Sequence, residues 1–329
     1  MPGSTRVAAW ENDRRGLPVS RTDRIKVLAL DLDGTVLAPG NRLSRRNVEA
    51  VEAFRRRGGL VVVASGRARR SALPWALRLG GASALVCHNG AAVYELDGKG
   101  SVVLPAAMPG AEAAARAGNA ESPEKAAGSM PPPQAEGVGR LIAETRLPEE
   151  VCRRLVALSR EVGVHFHGFA EDAWLYECSR PGTPVYEARS GFPGLVVDFD
   201  TIPSLAFHKA MFVGEPGPEI DSIAGRAREL CSDSATVLFS GPGFLEIVAA
   251  GVSKARGLRA FLDRRQLALE EVFAIGDAEN DEEMLLASGI GVVMGDAPAE
   301  LRARVGRVTA GIAEDGAALA IEAFLAGRL

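Results

Sequence analysis

The chain has 329 residues, of which 47% are hydrophobic and 5% are aromatic, and its formal net charge is −4. At about 150 residues per domain, this length predicts roughly two domains. The 38 basic and 42 acidic side chains leave no cationic excess for nucleic acid, and the scarce aromatic residues argue against base stacking.

The sequence has no apolar stretch of about 20 residues, which is the length of a membrane span. Residues 1–22 form a polar leader without the apolar centre of a signal peptide. The four cysteines lack zinc-binding spacing, which favours reduced and mostly buried thiols. We therefore expect a cytoplasmic protein without nucleic-acid or membrane partners, and the oligomeric state stays open.

The first predicted elements form a strand–helix–strand unit. Residues 25–30 predict a buried strand that ends at the segment Asp-Leu-Asp-Gly-Thr, residues 31–35. Ser44 is a suitable N-cap for the helix that follows, and residues 60–64 predict a second buried strand before Ser-Gly-Arg at 65–67. Such a unit is typical of a parallel sheet with a right-handed crossover.

The next segments predict a helix over 72–79 and a third strand over 84–87, which ends before His-Asn-Gly. Residues 105–139 are rich in Ala, Gly, Pro and Glu, which predicts a flexible insertion. From 141 to 236, strand-like and helical patterns alternate and predict a second α/β domain. The predicted strands span 141–144, 164–169, 173–176 and 206–213, and the predicted helices span 149–161 and 219–231.

The first domain is predicted to resume near Val237. A helix follows Ser253, a buried strand over 272–275 ends before Gly-Asp-Ala-Glu-Asn-Asp, and a last strand over 291–294 precedes a C-terminal helix. The predicted fold class is α/β, with a Rossmann-like parallel-sheet core and an inserted α/β cap domain. The core is assigned to residues 23–93 and 237–329, and the cap to residues 94–236.

Polar side chains follow four of the predicted strands. They are Asp31 with Asp33, Ser65, Asn89 and Asp277. The carboxyl ends of parallel strands meet at one edge of a sheet, where ligands bind. Asp31 and Asp33 point the same way on extended chain, and close carboxylates favour a cation. Asp277 and Asp281 complete an all-oxygen set, which suits Mg²⁺.

Two further features fit a phosphate group. Lys254 stands in the first turn of its helix, where an ammonium and backbone N–H groups attract an anion. The Ser65 hydroxyl can hold a phosphate oxygen beside the backbone amides of its turn. Taken singly, each feature also fits an ordinary structural role, a solvated lysine or a simple turn.

In their order along the chain, these motifs resemble the haloacid dehalogenase superfamily, specifically its Cof-type phosphatases with a large α/β cap. The matching segments are DLDGT, SGR, HNGA, FLEI, GVSKARGL, GDAENDEEML, and GVVMGDAP ahead of EDGAA. The resemblance covers roughly residues 26–93 and 238–317, about half of the chain.

The resemblance implies roles for the acidic residues. Asp31 attacks phosphorus and forms an aspartyl-phosphate, while Asp33 protonates the leaving group and then activates water. Mg²⁺ is held by Asp31, Asp277 and the backbone carbonyl of Asp33. Asp281 is not itself a metal ligand; it holds water ligands of the metal or the side chain of Lys254.

The resemblance also implies that Ser65, Lys254 and Asn280 contact the phosphate and that Asn89 lies close to the substrate. One departure is Asp296, which stands where the family often has Asn and is expected to add negative charge beside the metal. We assign no residue of the cap to the site, and Lys209 is expected to be solvated.

The function implied is an Mg²⁺-dependent phosphomonoester hydrolase that acts on small phosphorylated metabolites, with sugar phosphates favoured. Two alternatives stay open. A phosphotransferase or mutase would pass the same aspartyl-phosphate to another hydroxyl, and a sensor would bind a phosphorylated metabolite without turning it over.

Overall fold

The computed structural model describes residues 24–96 and 139–329. The predicted leader, residues 1–22, lies outside these ranges, and so does the predicted insertion over 105–139 except for Gly139. Among the described residues, no helix combines the length and apolar character needed to cross a membrane.

The strands and helices of these ranges are numbered in chain order. The strands are β1 (Val27–Leu30), β2 (Leu37–Ala38), β3 (Arg42–Leu43), β4 (Leu60–Ala64), β5 (Ala84–Cys87), β6 (Ala92–Glu95), β7 (Arg140–Glu144), β8 (His165–Ala170), β9 (Ala173–Tyr176), β10 (Leu195–Val196), β11 (Lys209–Val213), β12 (Ala235–Phe239), β13 (Phe244–Ala249), β14 (Val272–Gly276) and β15 (Ile290–Val293). The α-helices are α1 (Arg45–Arg56), α2 (Arg69–Arg78), α3 (Glu149–Val162), α4 (Gly182–Ser190), α5 (Pro218–Cys231), α6 (Lys254–Arg264), α7 (Glu282–Ala287), α8 (Ala299–Val305) and α9 (Gly316–Leu325).

Seven strands form the first sheet in the order β15-β14-β1-β4-β5-β6-β7. The strands from β15 to β5 pair in parallel, whereas β6 and β7 are antiparallel additions at one edge. Helices α1, α2 and α9 bury one face of this sheet, and α6, α7 and α8 bury the other. Burial on both faces explains why the strand sequences are continuously apolar. The predicted Rossmann-like core is confirmed.

Two close approaches fix the start of α6 against the end of β5. The Ser253 hydroxyl caps the helix by accepting the N–H of Arg256 at 3.2 Å. Gly90 has φ +106°, and a Cβ there would lie 2.1 Å from the Ser253 carbonyl oxygen. A Cβ on Gly257 would lie 2.9 Å from the Gly90 Cα. Because neither glycine has a side chain, the first turn of α6 reaches the carboxyl edge of the sheet.

The second sheet has six strands in the order β10-β9-β8-β11-β13-β12. All neighbouring pairs except β10 with β9 are antiparallel. Helices α3 and α5 pack on one face, in a core that includes Leu155, Phe212 and Ile220. The opposite face contributes Trp174 and other apolar side chains to a cluster that includes Ala68 of the first unit. This face therefore looks toward the carboxyl edge of the first sheet.

The strand pairings differ from the predicted domain boundaries at both junctions. β7, over residues 140–144, pairs with β6 in the first sheet, although the prediction places it in the cap. β12 and β13 join β11 in the second sheet, although the prediction returns the chain to the core near Val237. A strand's sequence shows its burial but not its pairing partner, which explains both differences. We propose a cap that spans residues 149–249, and "cap" has this meaning below.

Candidate active site

The carboxyl edge of the first sheet gathers most of the residues that the sequence singled out. Asp31, Asp33, Ser65, Asp277 and Asn280 line one cavity between this edge and the cap. Each follows the end of β1, β4 or β14, so the parallel strands deliver all of them to one place.

Lys254 lies beneath this cavity and pairs with two carboxylates. Its Nζ donates to Asp31 Oδ1 at 2.6 Å and to Asp281 Oδ1 at 2.7 Å, and all three side chains are buried. Burial alone would lower the pKa of Lys254, but the two carboxylates raise it above its ordinary value. The lysine is therefore a permanent cation, and its burial excludes the alternative of a merely solvated side chain.

Negative charge exceeds positive charge around Asp31. One oxygen from each of Asp31, Asp277 and Asp281 lies within 4.8 Å of the others, with Lys254 as the ammonium among them. Burial, and then the charge of Asp281, raise the pKa of Asp277 to about 7, and burial likewise raises the pKa of Asp31 well above its ordinary value. Such a set fits a hard divalent cation with oxygen ligands.

Asp281 differs from the other two acids because its oxygens already have donors. Oδ1 accepts from Lys254, while Oδ2 accepts the N–H groups of Asp277 and Ala278, each at 3.1 Å. This carboxylate closes the turn after β14 and orients the lysine. Asp31 and Asp277 are the acids with oxygen atoms left for a ligand.

Gly34 is required beside Asp277. Its φ is +83°, and a Cβ there would lie 2.2 Å from Asp277 Oδ2. The neighbouring Thr35 hydroxyl donates to Asp277 Oδ1 at 3.0 Å and so fixes the orientation of that carboxylate.

Asp33 is held by a residue that we did not assign to the site. Arg67 Nε donates to Asp33 Oδ2 at 2.7 Å, and Arg67 Nη2 donates to Oδ1 at 2.5 Å. Burial would raise the pKa of Asp33, but the hydrogen bonds and charge of Arg67 outweigh it and leave the pKa below its ordinary value. Arg67 is the last residue of the Ser-Gly-Arg tripeptide after β4, but the sequence prediction uses only Ser65 of this motif. Ser65 Oγ accepts the N–H of Arg67 at 3.2 Å.

Asn89 and Asn280 belong to a chain of side-chain hydrogen bonds that enters the cap. Asn280 Nδ2 donates to Asn89 Oδ1 at 3.0 Å, and Asn89 Nδ2 donates to Glu246 Oε2 at 2.5 Å. Asn280 lines the cavity, whereas the side chain of Asn89 is occupied by Asn280 and Glu246. In this arrangement Asn89 joins the two units through its side-chain amide.

Lys209 also differs from its expectation, because it is 1% exposed. Its Nζ donates to Glu246 Oε1 at 2.9 Å and to the carbonyl oxygen of Gly66 at 2.6 Å. The ion pair belongs to the cap, and the contact with Gly66 joins it to the turn after β4. Asp296, expected beside the metal, instead accepts the backbone N–H of Ile312 and does not line the cavity.

A family model described as haloacid dehalogenase-like hydrolase matches residues 28–113 and 136–321 of the chain. The chain belongs to this family. The predicted resemblance is thereby confirmed.

Named relatives of this hydrolase include phosphatases. The HMP-PP phosphatase of Escherichia coli K12 is 24% identical over 283 residues, which cover 85% of this chain and 88% of the relative. These names support the prediction of a phosphatase.

Solved structures share the whole fold. A haloacid dehalogenase-like hydrolase from Bacteroides thetaiotaomicron has a TM-score of 0.69 and 26% identity, over 91% of this chain and 98% of that one. A HAD subclass IIB sugar phosphatase has a TM-score of 0.71 and 20% identity, with the same two coverages. The predicted α/β fold with a cap is therefore confirmed.

The cap side of the cavity in this hydrolase contains residues that sequence reasoning missed. They are Tyr186, Arg189, Ser190, Lys209, Met211, Ser240 and Glu246. These side chains come from α4, β11, β13 and the turn before β13, where the sequence carries no catalytic motif apart from FLEI. The FLEI segment, which includes Glu246, is the one sequence feature that indicates these residues, but the sequence prediction places it in the core domain and not in the cap.

Proposed function

We propose that this hydrolase removes the phosphoryl group from small phosphorylated metabolites and that Asp31 is its nucleophile. The observation that carries the proposal is the contact of 2.6 Å between Lys254 Nζ and Asp31 Oδ1, beside Asp277 and at the base of the cavity. Lys254 favours the ionised form of the Asp31 carboxylate, against the burial that raises its pKa, and the same cation offsets charge on phosphoryl oxygens.

The reaction has two displacements at phosphorus. An Asp31 oxygen forms a bond to phosphorus as the bond to the leaving oxygen breaks, and Asp33 gives that oxygen a proton. Asp33 then takes a proton from water, whose oxygen bonds to phosphorus as the Asp31–phosphate bond breaks. Because Arg67 favours the ionised form of Asp33, the first step requires the Arg67–Asp33 pair to loosen when substrate binds.

Asp31, Asp277 and the backbone carbonyl of Asp33 are the proposed ligands of Mg²⁺. When bound, this ion would neutralise charge on the phosphoryl oxygens. Ser65, Lys254 and Asn280 are the proposed phosphate contacts. Asp281 holds Lys254 and the turn after β14, and Asn89 acts by orienting Asn280.

The names of similar proteins support the substrate class. A relative is named HMP-PP phosphatase and a structural neighbour is titled a sugar phosphatase, so both support a small phosphorylated substrate. Sugar phosphates are the first compounds to test. The cytoplasmic location expected from the sequence stays a prediction.

Phosphate release from a panel of phosphorylated metabolites, with and without Mg²⁺, tests the proposal. We expect Mg²⁺-dependent release by the wild type and a loss of at least about a thousandfold in Asp31→Asn. Asp263→Asn, which changes an exposed acid on α6, is the matched control and should keep full activity.

Wild-type rates in folded Asp31→Asn would remove Asp31 as nucleophile. A folded wild type that releases no phosphate from any compound would favour the sensor. Transfer of phosphate to an added sugar in place of water would favour the phosphotransferase.

A further inference from the structure

Four cationic side chains lie in or beneath the cavity, and three of them are paired. Arg67 is bound to Asp33, Lys254 to Asp31 and Asp281, and Lys209 to Glu246. Arg189 is the fourth. Within residues 24–96 and 139–329, it has neither an ion pair within 4.0 Å nor a hydrogen bond.

Arg189 is nevertheless held in place. It stands in the last turn of α4, and its guanidinium carbon lies 4.2 Å from the centroid of the Phe244 ring. This cation–π contact positions the guanidinium but uses none of its N–H donors. The side chain is half-buried, and none of its nitrogens is among the buried atoms that lack a partner. Its donors are therefore accessible from the cavity that the residue lines.

The charge of Arg189 acts on the catalytic side of the cavity. After burial and the contacts of Arg67, Arg189 is the next group that affects the pKa of Asp33. Yet Arg189 belongs to the cap, while the proposed phosphoryl contacts Ser65 and Lys254 follow strands of the first sheet or begin a helix against it. An anion bound at Arg189 would thus be a part of the substrate other than the group that is transferred.

We propose that Arg189 binds a second anionic group of the substrate, a phosphate or a carboxylate, and so selects metabolites that carry one in addition to the scissile phosphate. This inference rests on the proposed function. A guanidinium with open donors forms paired, charge-assisted hydrogen bonds with either anion, whereas a neutral sugar offers it only hydroxyl groups. The nearby acid Glu246 is already occupied by Lys209, Ser240 and Asn89, so it does not compete for Arg189.

Matched substrate pairs test this selection. Fructose 1,6-bisphosphate is compared with fructose 6-phosphate, and 3-phosphoglycerate with glycerol 3-phosphate, in the wild type and in Arg189→Gln. We expect the wild type to prefer one of the doubly anionic compounds. Arg189→Gln should lower kcat/KM for that compound by about 10- to 100-fold, mainly through KM, and change its partner by less than about threefold. Arg189→Lys should restore part of the loss.

Arg78→Gln is the control, because Arg78 also stacks on an aromatic ring, that of Trp75 at 4.7 Å, but does not line the cavity. It should leave all four compounds unchanged. An equal loss on both members of each pair would assign Arg189 to the transferred phosphoryl group and overturn the proposal. An unchanged preference in Arg189→Gln would also overturn it.

Equilibrium binding separates this inference from the proposed function. If the wild type turns over none of the four compounds, the proposed function fails, and calorimetric titration with the same compounds decides the role of Arg189. A drop of about tenfold or more in affinity for the doubly anionic compounds alone would support the anion site. Equal affinities in wild type and Arg189→Gln would overturn it.

Discussion

At the scale of single residues, the contact between Lys254 and Asp31 leads to a prediction. Lys254→Ala removes the cation that faces both the proposed nucleophile and the expected phosphoryl oxygens. We expect kcat/KM to fall by about 100- to 1000-fold, the loss typical of one preorganised electrostatic contact. Steady-state kinetics on the best substrate of the panel measure it, with circular dichroism to verify folding. Lys26→Ala is the control, because Lys26 pairs with Glu271 at the surface. An unchanged kcat/KM would exclude Lys254 from the site.

Site residues that follow a recognisable strand are predictable from sequence, whereas those defined by a distant partner are not. Asp31, Asp33 and Asp277 follow apolar strands, so their place at the sheet edge can be predicted from the sequence around each of them. The role of Arg67 depends on Asp33, 34 residues away. The burial of Lys209 depends on Glu246, 37 residues away on another strand. A solvated lysine and a buried one look alike in sequence.

At the scale of elements, the predicted helices and strands are close to those observed. The helix predicted over 149–161 is Glu149–Val162, and that over 219–231 is Pro218–Cys231. The periodicity of apolar residues and the capping residues at helix ends are local features, so they indicate where each helix begins and ends. Helix α4, Gly182–Ser190, was not predicted, since its sequence is short and has a Pro at position 184 and little apolar periodicity. That omission matters because α4 carries Arg189.

Pairing between elements explains the stability of the buried Lys209–Glu246 pair. These residues lie on the antiparallel neighbours β11 and β13 and are 1% and 2% exposed. Lys209→Met leaves the Glu246 carboxylate buried without a cation, and we expect a loss of about 3–5 kcal/mol in the free energy of unfolding. The double variant Lys209→Met/Glu246→Gln should recover part of that loss, because the neutral amide keeps the shape of the acid. Urea unfolding measures both, and a double variant no more stable than Lys209→Met would contradict a role for the unpaired charge.

At the scale of the whole molecule, the order of the motifs was sufficient to predict a core with an inserted cap. It was not sufficient to locate the boundaries between core and cap. The strands β7, β12 and β13 belong to one sheet or the other according to the strands with which they form hydrogen bonds. The two units then meet through contacts that no single segment contains. Ser71 Oγ donates to the Ser190 carbonyl at 2.8 Å, and Asn89 bridges to Glu246. The cavity exists only between the units.

The folded molecule buries every histidine of the chain, and this predicts how it responds to acid. His88, His165, His167 and His208 are each at most 1% exposed, and burial lowers the pKa of all four, for His165 to about 4. An unfolded chain takes up these protons near pH 6.5, whereas the folded chain resists them. The histidines' contribution to stability is therefore constant above pH 7 and declines as the pH falls through 6.5.

Each histidine that remains neutral at pH 5 should cost about 2 kcal/mol of unfolding free energy relative to pH 7. Asp277 and Asp31 oppose this trend. The fold raises the pKa of Asp277 to about 7 and that of Asp31 well above its ordinary value, so the folded state takes up these two protons at a higher pH than the unfolded chain does. Proton NMR of the four imidazole rings separates the two effects. The ring signals should stay at their neutral positions from pH 8 to pH 6, while urea unfolding shows the loss of stability below that range. A histidine signal that titrates near pH 6.5 in the folded protein would show that its ring is accessible to water. That histidine would then not contribute to the predicted loss of stability in acid.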